Sequence, residues 1–392
     1  MEQWEQHRDN GRLEQFRSRT YSNGDTTLTT AYDQSACLGL TACQNIGHRT
    51  SGTDGAGSEL WSYQVDSTNH RSVHVDQRTT ASGSNNITKT ATYYLDLAGN
   101  VTQAVYPTGR VVNYSFDAAD RPSTAADGSN GITYAADFQT PPTGCLTGAA
   151  CYTPQGTFYA LSIGQTSSFT GLNLSHNYNN RLQPQEFKAS STGGSAMDIT
   201  YSFVDPSSGK NAGHVFSISN NLNSNRSQSF SYDQLNRILS AGTLATTGQY
   251  CWGYQYSYDA WGNLLAQAGW TPTYSTCTET LMGSVTADAN NHISGFSYDS
   301  SGNTQSDGTY SYTWDGDGRR VYKSSGKLYW YGAGNEILAE TDGSGNTTAE
   351  YIFFGGKRIA MLPAGGSVQY YVEDFLGSSR VVTSPKIGIV QK

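Results

Sequence analysis

The sequence is short of charge, methionine and proline, and it has no long apolar run. Only 14% of its 392 residues are charged, and its 24 Lys and Arg form no cluster. With a formal charge of −8 and a pI near 5.3, the chain lacks the cationic surface that phosphate binding needs, which argues against a nucleic-acid partner. No stretch approaches the ~18 apolar residues of a membrane-spanning helix. No segment of useful length shows the 3.6-residue period of an amphipathic helix. The N-terminus, Met1-Glu-Gln-Trp-Glu-Gln, is polar and acidic and does not read as a secretory signal.

Signatures of catalysis are equally scarce. There is no Gly-x-Ser-x-Gly elbow, and the Gly-Lys pairs at Gly209, Gly326 and Gly356 lack the upstream glycine of a phosphate-cradling loop. Asp315-Gly-Asp-Gly opens like a calcium loop, but Arg319 and Arg320 follow and no Glu stands at the twelfth position. Among seven histidines only His70 and His74 are close together. With Asp76 near them they could begin a metal site, but two imidazoles on a strand read more simply as solvated side chains. The expectation is a non-catalytic protein with no cofactor and no metal.

What is abundant is tyrosine and glycine, 27 and 43 residues, an excess of strand and turn formers over helix formers that points to an all-β fold. One stretch recurs along the chain. In Tyr256-Ser-Tyr-Asp-Ala-Trp-Gly-Asn-Leu-Leu265 the two tyrosines fall on one side of an extended segment, as a half-buried strand requires. Asp259 then opens a type I turn, Gly262 takes the position that wants positive φ, and a second strand begins. The same order recurs at Asp96, Asp117, Asp233, Asp299 and Asp315, followed three residues on by Gly99, Asp120, Asn236, Gly302 and Gly318. Only Gly, Asn and Asp occupy that slot, the residues that tolerate a left-handed backbone. The next residue is always Asn or Arg. Each unit therefore reads as strand, tight turn, strand, and Tyr258 is expected on the packed side. The spacing between units is irregular, 21 residues from Asp96 to Asp117, 26 from Asp233 to Asp259, 40 from Asp259 to Asp299 and 16 from Asp299 to Asp315, which suits one curved antiparallel sheet with strands of varying length better than a strict solenoid.

Phe230-Ser-Tyr-Asp-Gln-Leu-Asn-Arg-Ile, Tyr256-Ser-Tyr-Asp-Ala-Trp-Gly-Asn-Leu and Phe296-Ser-Tyr-Asp-Ser-Ser-Gly-Asn resemble the YD repeats of bacterial RHS proteins. Teneurins share that shell architecture. Near the C-terminus, Tyr370-Tyr-Val-Glu-Asp-Phe-Leu-Gly-Ser-Ser-Arg-Val-Val-Thr383 resembles the start of the RHS core-associated region. It matches at Asp374, Leu376, Gly377, Ser378 and Arg380 and departs at Val372 and Phe375. The resemblance implies a shell of hairpins wrapped around a C-terminal toxin, and it divides the chain into degenerate repeats over 1–90, a YD-repeat wall over 91–369 and a truncated core-associated segment over 370–392. It also implies a further strand and an Asp-Pro-Leu-Gly-like segment, where autoproteolysis would free the toxin. Here Ser384-Pro-Lys-Ile-Gly-Ile-Val-Gln-Lys392 follows instead, so no catalytic residue is carried over. Asp9-Asn-Gly-Arg-Leu13 resembles the tail of a repeat, which places the chain's start inside an array.

Six cysteines fall into the local pairs Cys37 and Cys43, Cys145 and Cys151, Cys251 and Cys277. Closed as disulfides they would contribute roughly 2 to 4 kcal/mol each on the chain-entropy model, and they would imply an extracellular or cell-surface setting. Six reduced thiols are the alternative. The expected function is a structural shell fragment that encloses or presents an effector, with self-association possible through open sheet edges. The rival is an adhesin or glycan-binding module, which would display rings such as Trp261 or Trp330 to solvent. Sequons such as Asn86 and Asn346 are expected by chance in so Asn- and Thr-rich a chain.

Overall fold

A computed structural model describes the backbone over 2–9, 12–19, 28–66, 71–83, 85–136, 150–167, 171–270, 277, 281–384 and 388–391. Among these residues the chain is almost wholly β, with a single 3-10 turn at Ser224–Arg226. A 21-stranded sheet runs from Glu2–Asp9 to Leu264–Gly269, and a nine-stranded sheet from Tyr312–Trp314 to Gly388–Gln391. A two-strand ribbon, Ser297–Tyr298 with Thr304–Ser306, lies between them in sequence. Pairing is antiparallel throughout, and nearly every strand pairs with its successor, so the topology is a meander. The exception is Thr133–Ala136, which pairs with one end of Phe158–Gln165 while Cys151–Tyr152 pairs with the other. The strand Asn85–Leu95 pairs on both sides across the division expected at residue 90.

The meander curls back on itself. Ala104, Val112, Tyr134, Ile163, Phe187 and Ile199 from the first sheet share one core with Ile352, Phe354, Tyr370 and Val372 from the second. Phe158 stacks on Phe354 at 5.5 Å between ring centres. Gly164 meets the ring of Tyr370 so closely, and at φ +78, that no larger residue fits there. The two sheets thus lie face to face around a shared core. That cover does not extend along the whole wall, since none of the described residues between 254 and 314 is buried.

Candidate functional site

The repeated turn is built the same way wherever it occurs. Each aspartate accepts the backbone N–H groups two and four residues on: Ala98 and Asn100 on Asp96, Ala119 and Arg121 on Asp117, Leu235 and Arg237 on Asp233. Asp259, Asp299 and Asp315 do likewise, and all twelve bonds measure 2.8 to 3.1 Å. The other carboxylate oxygen takes the side chain of the Asn or Arg at the fourth position, at 2.7 to 3.1 Å from Asn100, Arg121, Arg237, Asn263, Asn303 and Arg319. The third position, at Gly99, Asp120, Asn236, Gly262, Gly302 and Gly318, has φ between +56° and +93°. Backbone hydrogen bonds hold these carboxyls below their usual range at Asp96 and Asp233, led by the N–H of Asn100 and Arg237, while at Asp117 and Asp259 the clamp side chain leads.

Two further clamped turns escape the sequence pattern because their flanks lack the aromatic alternation, Asp342 with Asn346 and Asp288 with His292, while a third, Asn179 with Gln183, closes the shortened copy of the repeat over His176–Pro184. Asp374 makes a fourth. Its carboxylate accepts Leu376 N–H and Ser378 N–H, Gly377 sits at φ +84, and the clamp is Arg380, six residues on, with Nε at 2.7 Å. The C-terminal signature is therefore this same turn with its clamp moved along, and Leu376 stands 73% exposed at its tip.

The clamp also couples neighbouring hairpins. Arg121, Arg237 and Arg319 lie over the rings of Tyr152, Tyr258 and Tyr331, at 4.7, 4.7 and 5.4 Å from ring centre, and His292 stacks on Tyr298 at 4.0 Å. Each tyrosine hydroxyl bonds the backbone of the residue just past that clamp: Tyr152 to Pro122 O, Tyr258 to Ile238 O, Tyr331 to Arg320 O, and Tyr298 from Ile293 N–H. Tyr258 is consequently half-buried rather than a core residue. Its ring, expected on the packed side of the wall, locks one turn to the next.

The two sheets meet along a seam with an ionic end and an apolar end. Cross-strand pairs Glu59–Arg78, Trp61–Asp76 and Tyr63–His74 line the ionic end, and the turn 315–319 docks on them. Gly316 N–H binds Asp54 at 2.8 Å, Arg49 binds Asp317 at 3.0 Å, and Arg319 reaches Glu59. Arg78 grips Asp54 with both terminal nitrogens. Burial, reinforced by Glu59, pushes the Asp76 carboxyl well up, so it keeps its proton where an ordinary aspartate has lost it. Burial also lowers His74 to about 4 as it stacks between Tyr63 and Tyr93. His70 lies outside the described residues. Among those described, no group of three or more His, Cys, Asp or Glu is placed to hold a metal.

Cys37–Cys43 and Cys251–Cys277 are disulfides with Cα atoms 5.3 Å apart. Cys151 is also disulfide-bonded, and Cys145 lies outside the described residues. Trp330 is buried, its indole donating to Thr341, whereas Trp261 is 90% exposed at the tip of its turn. No helix among the described residues is long and apolar enough to cross a membrane.

A curled meander of aspartate-clamped, tyrosine-locked hairpins defines a β-shell wall. Residues 96–133, which hold two of these turns, match the family described as RHS Repeat. The chain therefore carries an RHS repeat over those residues. Its fold is similar to the crystal structure of TcdB2-TccC3, with a TM-score of 0.62 and 14% identity, over 99% of this chain and 23% of that one. It is also similar to the Photorhabdus luminescens Tc holotoxin pore with the TccC3-D651A mutation, with a TM-score of 0.56 and 14% identity, over 98% of this chain and 23% of that one. The chain spans less than a quarter of the length of these solved chains. No curated protein matches it by sequence.

Proposed function

We propose that this chain is a section of the wall of an RHS-type shell that encloses or presents a C-terminal effector, outside the cell or at its surface, with no catalytic role of its own. The supporting observation is the half-buried aromatic face of the strand Gly253–Tyr258. Tyr254, Tyr256 and Tyr258 alternate there with exposed Gln255 and Ser257, and no described residue of this chain covers them to full burial. An enclosed or continuing polypeptide would complete that burial, at roughly 25 cal/mol per Å² of apolar surface covered. Left open, such a face and its strand edges favour self-association.

The test is limited proteolysis of the chain expressed in continuity with the polypeptide its locus encodes downstream. An enclosed segment resists trypsin while the wall is folded and becomes sensitive when Arg319→Ala weakens the seam. Equal digestion in both overturns the reading. Trp261 favours a second reading, glycan recognition, because a solvent-facing indole can stack on a sugar face. Binding on a glycan array that is lost in Trp261→Ala would carry that reading, and no binding would end it.

A further inference from the structure

At the apolar end of the seam the two sheets leave a cavity of about 360 Å³, a volume typical of small-ligand sites. Tyr93, Tyr106, Tyr114, Phe116, Phe353 and Phe354 line it, drawn from both sheets. One carboxylate, Glu336, joins them, and the lining contains no lysine, arginine or histidine. Glu336 ends the turn that begins at Gly332, and Ala333 N–H binds the Tyr93 hydroxyl at 3.2 Å, fixing that turn over the rings. The carboxylate is held by the N–H groups of Gly334 and of Glu336 itself. Burial raises its pKa and those of Tyr93, Tyr106 and Tyr114, and the Glu336 charge adds to the rise of all three phenols.

We propose that this cavity binds a small quaternary ammonium cation. A carboxylate with no cation in the lining gives the space a negative potential, while six aromatic rings make its walls apolar. A soft, weakly hydrated cation satisfies both conditions at once. An anion would be repelled, and a strongly hydrated metal ion would find one carboxylate and no further charged ligand.

The experiment is calorimetric titration of the whole chain with choline and with tetramethylammonium. The control ligand is 3,3-dimethylbutan-1-ol, the neutral carbon isostere of choline. The expected result is saturable binding of both cations, with the isostere at least about tenfold weaker, since it keeps the shape and loses the charge. Glu336→Gln should weaken choline about tenfold with an unchanged circular dichroism spectrum. Affinity should also fall on acidification, as Glu336 takes up a proton. No saturable cation binding, equal affinity for the isostere, or full affinity in folded Glu336→Gln overturns the proposal. The isostere comparison decides on the unmodified chain even if the variant misfolds.

Discussion

The guanidinium of Arg237 lies 4.7 Å over the ring of Tyr258 while its Nε closes the turn on Asp233 at 2.7 Å. Tyr258 in turn reaches back to the carbonyl of Ile238, the residue after that arginine. One side chain therefore finishes its own hairpin and seats the ring of the next. Variable strand lengths do not disturb this linkage, because it is made beside the turns.

Removing the ring tests the coupling. Tyr258→Phe should cost about 1 kcal/mol through the lost hydroxyl bond. Tyr258→Ala should cost about 2 kcal/mol, less than the 3 to 5 of a fully buried aromatic. A double-mutant cycle with Arg237→Ala should return a coupling of about 0.5 to 1 kcal/mol in urea unfolding. Additive effects would show that the two merely touch.

Arg319 carries the larger load. It clamps Asp315 at 2.7 Å and also binds Glu59, 260 residues earlier, and the side chains of both carboxylates are nearly inaccessible. Arg319→Ala takes the ion-pair fork from two buried carboxylates, leaving Asp315 its backbone donors and Glu59 the more distant Arg78, and should cost about 3 kcal/mol. Arg319→Lys should fall in between, because an ammonium cannot serve both acceptors with the same fork. A loss under about 1 kcal/mol in the alanine variant would show that the seam holds without this link.

One turn uses a residue ill suited to it. Leu182 stands at φ +61 in the turn that Asn179 opens, and it is 57% exposed. Leu182→Asn or Leu182→Gly should therefore stabilise the chain by about 1 kcal/mol, visible as a higher urea midpoint. The converse change, Gly262→Ala at φ +93, should destabilise by a similar amount although nothing lies within 4 Å of the added methyl. An unchanged midpoint in both would contradict the strain argument.

Acid should weaken the fold through its buried imidazoles. His74 and His176 are lowered from 6.5 to about 4, mainly by burial. Between those pH values the unfolded chain binds protons that the folded chain refuses, so stability falls as pH drops from 6.5 toward 4, by up to about 3 kcal/mol per histidine. Asp76 acts in the opposite sense. Its raised carboxyl contributes stability below its unfolded value that is lost as pH rises through its folded one. Nε2 of His74 has no hydrogen-bond partner, so His74→Phe should keep the stack, leave pH 7.5 stability intact and flatten the acid limb of urea midpoints. An acid limb as steep as that of the unmodified chain would show that His74 does not carry it.

The turns were legible because everything they need is local. An aspartate, a residue tolerant of positive φ and a clamp within four positions satisfy one another whatever lies around them. The turn at Asp374 was harder to see, since its clamp at Arg380 comes two residues late, and the shortened copy over His176–Pro184 puts Leu182 where the rule expects Gly, Asn or Asp. The role of Tyr258 was misread for a different reason. Alternation marks the side of a strand that a ring occupies, but not whether a second layer covers it.

From the sequence alone come the all-β class, the six clamped bends opened by Asp96, Asp117, Asp233, Asp259, Asp299 and Asp315, and the local pairs Cys37–Cys43 and Cys251–Cys277, since these depend on backbone sterics and contacts close along the chain. Only the tertiary structure decided that the meander curls until Arg319 finds Glu59, that Phe158 stacks on Phe354, and that Glu336 closes an aromatic cavity. Those contacts join residues roughly 200 or more positions apart. They depend on twist accumulated over many strands, which no local pattern encodes.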